Sequence, residues 1–239
     1  MGIDWQTTAI ALASRLQFEA ACGRGRLISE DLSRIFLVEI LQSQTSGFVE
    51  PEYNHPDLPG DTRVDLLIRS PNAQNIEAAI EHKWVRETTQ NTIRHWMAEV
   101  LGDVMRVEAL SQEMVQGSQR IVCVSGEVEE MRRAIWESKS NNGNGQQRIG
   151  VVDNLLQSSP QLSFSPQDPI TVQLERTGPS FYSKLKQGSK ELFARLPARY
   201  SVELVGYHRA HSHGVECAIW RIGRPVGQRV TFDANKWQR

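Results

Sequence analysis

The sequence of 239 residues lacks most features that would mark a secreted or membrane-bound protein. Its three cysteines, Cys22, Cys123 and Cys217, are far apart and odd in number. They provide neither a disulfide framework nor the spacing of zinc ligands, and they suit a reducing, cytoplasmic environment. No stretch approaches about 18 consecutive apolar residues, so we expect no membrane span. The N-terminal segment is apolar but has no basic region before it, which predicts an amphipathic helix and not a signal peptide.

Net charge is also nearly absent, since the formal value is -1 at pH 7. That total argues against strong binding to nucleic acid, but residues 170–239 carry 12 Lys and Arg against 5 Asp and Glu. A phosphate backbone interacts with a local face, so this asymmetry matters more than the total. A helix predicted near 180–195 could therefore contact nucleic acid, and an ordinary solvated helix face is the alternative. The basic residues of this helix are Lys184, Lys186, Lys190 and Arg195.

The first two thirds of the chain contain a regular succession of helix and strand patterns. Apolar residues at helical spacing predict one helix over 5–21 and a second that begins after Ser29 and ends near Gly47. Three shorter segments bounded by turn residues predict an antiparallel meander. These strands cover 48–53, 62–70 and 76–84.

A long amphipathic pattern over about 91–116 predicts a helix after the meander, and the apolar run 120–126 is typical of a buried parallel strand. The order α-β-β-β-α-β predicts an α/β fold with a mixed central sheet flanked by helices. Another helix is predicted over 127–139. A Pro- and Ser-rich stretch then favours a division into a core of residues 1–156 and a C-terminal α+β extension of residues 157–239. The extension contains a hairpin whose turn is a Ser-His-Gly sequence.

Three charged residues fall at informative positions in the second and third strands of the meander. Asp65 alternates with Val64 and Leu66, so its side chain points to the opposite face of the sheet. Glu81 and Lys83 are two apart on the next strand and share a face, whereas His82 faces the other side. Antiparallel pairing of the two strands can bring Asp65 beside Glu81. Facing carboxylates suit a hard cation such as Mg²⁺ or Mn²⁺, and a lysine can orient a water molecule and stabilise charge on a phosphoryl group.

In this setting the segment from Asp65 to Lys83 resembles the PD-(D/E)XK nuclease superfamily. That group includes restriction endonucleases, Holliday-junction resolvases and many bacterial defence and repair nucleases. The resemblance covers about residues 29–125 and implies a restriction-endonuclease-like core. It implies that Asp65 and Glu81 bind Mg²⁺ or Mn²⁺ and that Lys83 is the catalytic lysine. Some members add a glutamate from the first core helix, for which Glu39 is the first candidate here and Glu30 the second.

The resemblance implies a metal-dependent nuclease whose partner is nucleic acid, with DNA ahead of RNA, and it is compatible with a homodimer. The motif is short, and its specificity comes from the order of elements around it. One alternative is a catalytically inactive nuclease-like module that binds nucleic acid or a protein partner. A second is a solvated strand face with cross-strand ion pairs. On the long helix, Asp103 and Arg106 are spaced for an ion pair along the helix.

Overall fold

A mixed β-sheet flanked by helices forms the body of the protein in a computed structural model. The described residues are 2–55, 63–72, 75–86, 100, 102–104, 106–108, 110, 114–132, 139–141, 147–149, 170–173 and 199–223. Within them, seven strands form one sheet and two further strands pair separately. The predicted α/β class with a mixed central sheet is therefore confirmed.

The elements follow one another in the predicted order through the first half of the chain. The described helices are α1 (Trp5–Glu19), α2 (Glu30–Gln44), α3 (helical residues 100, 102–104 and 106–108) and α4 (Val128–Met131), and a π-helical turn (Ala20–Arg24) and a 3-10 turn (Gly25–Leu27) join α1 to α2. The described strands are β1 (Phe48–Asn54), β2 (Arg63–Arg69), β3 (Ile76–Val85), β4 (Met114–Glu127), β5 (Lys139–Asn141), β6 (Gln147–Ile149), β7 (Ile170–Gln173), β8 (Arg199–Arg209) and β9 (Val215–Ile222). In the large sheet their order is β1-β2-β3-β4-β9-β8-β7.

Side-chain caps fix the start of both N-terminal helices. The Oδ1 atom of Asp4 accepts a hydrogen bond from the backbone N–H of Thr7 at 3.0 Å, and the Oγ atom of Ser29 accepts one from the N–H of Leu32 at 3.2 Å. Each bond satisfies a backbone donor that has no partner within the helix. Ser29 therefore sets where α2 begins, whereas the packing of its apolar side chains decides which residues of α2 face the sheet.

The register of the central strands brings the predicted site residues to neighbouring positions. Strands β1, β2 and β3 pair antiparallel, with Leu66 opposite Ile80, and β3 pairs parallel with β4, with Ile80 beside Ile121. The predicted meander and the parallel strand after it are confirmed. Pro51 lies in β1 at the edge of the sheet, where its missing N–H interrupts no pairing with a further strand.

Helices cover both faces of the sheet around β3. On one face α1 and α2 pack on apolar side chains of β2, β3, β4 and β9. Fully buried examples on that side are Leu12, Leu37, Leu66 and Ile80. Helix α3 lies on the other face, because Arg106 contacts Glu81 and Arg120 of β4 donates to the carbonyl of Leu110. The polar side chains of β3 are therefore covered by helices on both faces of the sheet.

The C-terminal hairpin belongs to the same sheet as the predicted core. Strand β9 pairs antiparallel with β4, and β8 pairs with β9 through a turn at residues 210–214. Helix α1 docks on β8: Gln6 bonds both the N–H and the carbonyl of Tyr207. A Cβ atom at Gly206 would lie 2.3 Å from the carbonyl oxygen of Trp5. The predicted hairpin is confirmed, while the boundary between residues 156 and 157 lies outside the described residues.

Two helix predictions were wrong at their C-terminal ends. The helix predicted over 91–116 stops earlier, because Met114 already pairs with Ile76 in β4. The helix predicted over 127–139 cannot reach its last residue, because Lys139 pairs with Ile149 in a separate two-stranded sheet. Apolar spacing does not reveal such changes, since strand pairing over a distance decides them.

Two cysteines lie close together in the sheet. The Sγ atoms of Cys123 and Cys217 are 3.8 Å apart on neighbouring strands, and both are buried free thiols.

Among the described residues there is no helix with the length and apolar character needed to cross a membrane.

Candidate active site

The structure brings Asp65, Glu81 and Lys83 together on the face of the sheet that α3 covers. Asp65 precedes Leu66, whose partner is Ile80, so it lies across from Glu81. The backbone N–H of His82 donates to the Oδ2 atom of Asp65 at 2.8 Å. Glu81 is 1% exposed and Lys83 is 8% exposed. The alternative of a solvated charged strand face does not fit this burial.

Asp65 has an arginine as its counter-ion. The Nη1 atom of Arg34 donates to the Oδ1 atom of Asp65 at 2.8 Å. The same guanidinium contacts Asp31 at 2.6 Å and pairs with Glu52 of β1. Glu52 has a positive φ of 56°, a backbone conformation that costs energy for a residue with a side chain and often occurs near functional sites. Arg34 was not predicted, although it lies one turn after Glu30 on the same side of α2.

Lys83 is held between α2 and α3. Its Nζ atom lies 3.2 Å from the Oε1 atom of Glu30 and 3.8 Å from the Oδ2 atom of Asp103. Of the two glutamates considered on α2, Glu30 is therefore the one placed at the cluster. Glu39 is exposed, because nine residues along a helix are about 2.5 turns and bring it to the far side from Glu30.

Arg106 joins Glu81 and Asp103 in the same cluster. Arg106 of α3 donates from its Nη2 atom to the Oε2 atom of Glu81 at 2.9 Å and also to the Oδ1 atom of Asp103. The spacing of Asp103 and Arg106 predicted their ion pair, but only the fold shows that Asp103 is fully buried. The described cluster thus contains Asp65, Glu81, Asp103 and Glu30 with Arg34, Lys83 and Arg106.

Burial dominates the electrostatics of the two innermost carboxylates. It raises the pKa of Glu81 well above its usual range, against the opposing effect of Arg106, and the nearby Asp65 and Asp103 raise it further. Burial likewise raises the pKa of Asp103 to about 6, with Lys83 and Arg106 acting in the other direction. A buried carboxylate prefers the neutral form unless a cation stays close. Around neutral pH, Glu81 and Asp103 are therefore stable as carboxylates only with a positive charge beside them.

Two oxygens of these carboxylates remain without a hydrogen bond in the described part of the chain. They are the Oε1 atom of Glu81 and the Oδ2 atom of Asp103, both buried. Such oxygens suit a hard divalent cation, and Mg²⁺ typically uses one or two protein carboxylates and keeps several waters. Among the described residues, no three Asp, Glu, His or Cys side chains form a metal-binding group on their own. The donor set therefore fits a cation held by two carboxylates and water, not a closed protein cage.

His82 lies on the opposite face, as predicted, and fastens β3 to its neighbours. Its Nε2 atom is 3.0 Å from the Oγ atom of Ser33 on α2 and 3.1 Å from the Oγ atom of Ser125 on β4. All three side chains are fully buried. Because the N–H of His82 holds Asp65, this network fixes the strand segment that carries Glu81 and Lys83.

We expect His82 to limit stability in acid. Burial lowers the pKa of His82 to about 4 from an ordinary value of 6.5. Between these values the unfolded chain binds a proton that the folded protein does not, so the free energy of unfolding falls as pH falls from 6.5 to 4. His82→Leu removes this contribution. Relative to the wild type, the variant should gain about 3 kcal/mol on going from pH 7.5 to pH 4, measured by urea denaturation.

His213→Leu is the matched control, because His213 lies exposed in the turn between β8 and β9. Its stability relative to the wild type should change little over the same pH range. A constant difference between His82→Leu and the wild type at both pH values would contradict the prediction.

The basic residues Lys184, Lys186, Lys190 and Arg195 lie outside the described residues, as does the predicted helix that carries them. Comparison of the chain with protein-family models, with curated proteins and with solved structures found no match.

Proposed function

We propose that the protein is a metal-dependent nuclease with a restriction-endonuclease-like core, and DNA is the first substrate to test. One arrangement carries this proposal: the buried Glu81 has an oxygen without a hydrogen bond among the described residues, lies across from Asp65 and shares its strand face with Lys83. The order of α2, β1, β2, β3, α3 and β4 around the site also supports it. The resemblance to the PD-(D/E)XK group is itself part of the proposal.

Asp65 and Glu81 are the side chains that would hold Mg²⁺ or Mn²⁺. Both oxygens of Asp65 already accept one hydrogen bond, but a carboxylate oxygen has a further lone pair that can bind a cation. When bound, a divalent cation polarises a phosphoryl oxygen and makes water easier to deprotonate. In the hydrolysis, water adds to phosphorus, the bond to the leaving oxygen breaks, and that oxygen gains a proton.

Lys83 would orient the attacking water and stabilise the charge on the phosphoryl oxygens. Glu30 and Asp103 hold its ammonium group in place on two sides. A cation that is positioned before the reaction stabilises a transition state more effectively than a mobile one. His82 contributes indirectly, since its N–H orients Asp65 and its ring fixes β3.

The experiment that tests this function is cleavage of supercoiled plasmid, linear DNA and an RNA oligonucleotide. Each substrate is incubated with the protein in Mg²⁺, in Mn²⁺ or in a chelator. We expect nicking or cutting that needs the divalent cation. Glu77→Gln, an exposed glutamate on the same strand as Glu81, should cleave like the wild type. If the folded wild type cleaves none of the substrates and binds no Mn²⁺ by calorimetry, the proposed function is wrong.

A second candidate is a catalytically inactive nuclease-like module that binds nucleic acid or a protein. It is favoured by the arginines that already neutralise the site, Arg34 at Asp65 and Arg106 at Glu81. Internal counter-ions of this kind can replace a metal in a module that no longer cuts. Binding of DNA without cleavage, unaffected by divalent cations, would favour this candidate.

A further inference from the structure

One nitrogen atom lies between the two innermost carboxylates. The Nη2 atom of Arg106 contacts the Oε2 atom of Glu81 at 2.9 Å and also contacts the Oδ1 atom of Asp103. Glu81 comes from β3 and Asp103 from α3, so a single positive centre joins two elements. A small divalent cation coordinated by the same pair would make a similar bridge.

The arginine satisfies this pair only in part. A guanidinium has five donors and pairs best with a carboxylate through two parallel hydrogen bonds. Here both contacts fall on Nη2, while the buried Nε atom of Arg106 has no partner among the described residues. One oxygen of Glu81 and one of Asp103 are also left without a hydrogen bond there. An ion pair selected only for stability would be expected to leave fewer buried polar atoms unpaired.

The three side chains differ in exposure, so Arg106 can leave while Glu81 and Asp103 stay in place. The side chain of Arg106 is 28% exposed, whereas those of Glu81 and Asp103 are 1% and 0% exposed. The arginine can therefore turn toward solvent while both carboxylates stay where they are. Rotation of a partly exposed side chain requires no change in the fold.

We infer that Arg106 is a resident counter-ion which a divalent cation displaces, and that Asp103 is a further metal ligand beside Glu81. This inference rests on the proposed function and deepens it. Asp65 keeps its ion pair with Arg34 and its proposed role as a metal ligand, and Lys83 stays between Glu30 and Asp103. Competition between the arginine and the metal follows directly, because both need the same two carboxylates.

The competition is measured with Mn²⁺ alone, by calorimetry and by electron paramagnetic resonance, without any nucleic acid. Arg106→Met removes the resident cation and should tighten Mn²⁺ binding about tenfold or more, within the range of ordinary coupling between ligands. Asp103→Asn removes a ligand at constant shape and should weaken binding by about tenfold or more, since loss of even an outer partner of a ligand typically has that effect. Glu77→Gln and Arg132→Met alter exposed charges and should bind like the wild type.

Folding of each variant is checked by circular dichroism. Asp103→Asn leaves Arg106 paired with Glu81, so it tests the inference even where Arg106→Met does not fold. Unchanged or weaker binding by folded Arg106→Met, or wild-type binding by Asp103→Asn, would overturn the inference. Where the wild type binds too weakly to measure, Mn²⁺ binding by Arg106→Met supports it and absence of binding overturns it.

The two proposals fail in different ways. If Arg106→Met binds Mn²⁺ more tightly but the wild type cleaves no substrate, displacement of Arg106 by the cation is supported and nuclease activity is rejected. If the wild type shows metal-dependent cleavage but Asp103→Asn binds Mn²⁺ normally, nuclease activity is supported and the displacement is rejected.

Discussion

Lys83→Met is expected to reduce metal-dependent cleavage by about 100- to 10,000-fold, the usual effect of removing a group that moves or orients a proton. Methionine retains the apolar stem that lies buried in β3 and removes only the ammonium group. The readout is the initial rate of plasmid nicking at saturating Mn²⁺. Asp65→Asn should cause a loss of similar size, because an amide is a poorer ligand than a carboxylate for a hard cation.

The two variants differ in a second measurement. Lys83 is not a metal ligand in the proposed site, so Lys83→Met should bind Mn²⁺ at least as tightly as the wild type. Asp65→Asn should bind it more weakly. Nicking by folded Lys83→Met at the wild-type rate would contradict the role given to Lys83, even if the protein is a nuclease.

Arg106→Met is expected to destabilise the metal-free protein by about 3–5 kcal/mol, as typically found when one partner of a buried ion pair is removed. Glu81 and Asp103 would keep their burial and lose their closest cation. The free energy of unfolding is measured by urea denaturation in a chelator. Arg132→Met is the matched control, because Arg132 and Glu129 form an exposed pair at the same spacing along a helix. That change should cost about 0–1 kcal/mol.

The loss of unfolding free energy caused by Arg106→Met should depend on pH. Without Arg106, the pKa values of Glu81 and Asp103 rise further above those of the unfolded chain. The folded state then holds protons that the unfolded state has released, so stability falls as pH rises. We therefore expect Arg106→Met to lose more unfolding free energy at pH 8 than at pH 5. An equal loss at both pH values would show that the arginine acts through packing and not through these carboxylates.

Local pattern was enough to predict three members of the site and the elements that carry them. Strand alternation placed Glu81 and Lys83 on one face and His82 on the other, because the period of a strand is fixed at two. The meander placed Asp65 across from Glu81, because an antiparallel pair joined by a turn has few possible registers. The start of α2 after Ser29 was also predicted, since capping depends on residues close in sequence.

The other residues of the site could not be predicted, because they reach it only through tertiary packing between distant elements. Glu30 and Glu39 are both glutamates of α2, and only the rotation of α2 against the sheet brings Glu30 to Lys83. In the sequence Asp103 and Arg106 form an ordinary helix pair, and only the packing of α3 on β3 buries Asp103 and brings Arg106 to Glu81. The pairing of β9 with β4 likewise joins residues far apart in the chain.

By itself, the sequence determined the succession of helices and strands in the first half of the chain, the mixed α/β class and the shared face of Glu81 and Lys83. Each of these depends on interactions between near neighbours along the chain. The tertiary structure decided which cations neutralise the buried carboxylates and which of their oxygens have no hydrogen bond within the described part of the chain. These properties arise only when desolvation and charge from several elements meet at one place.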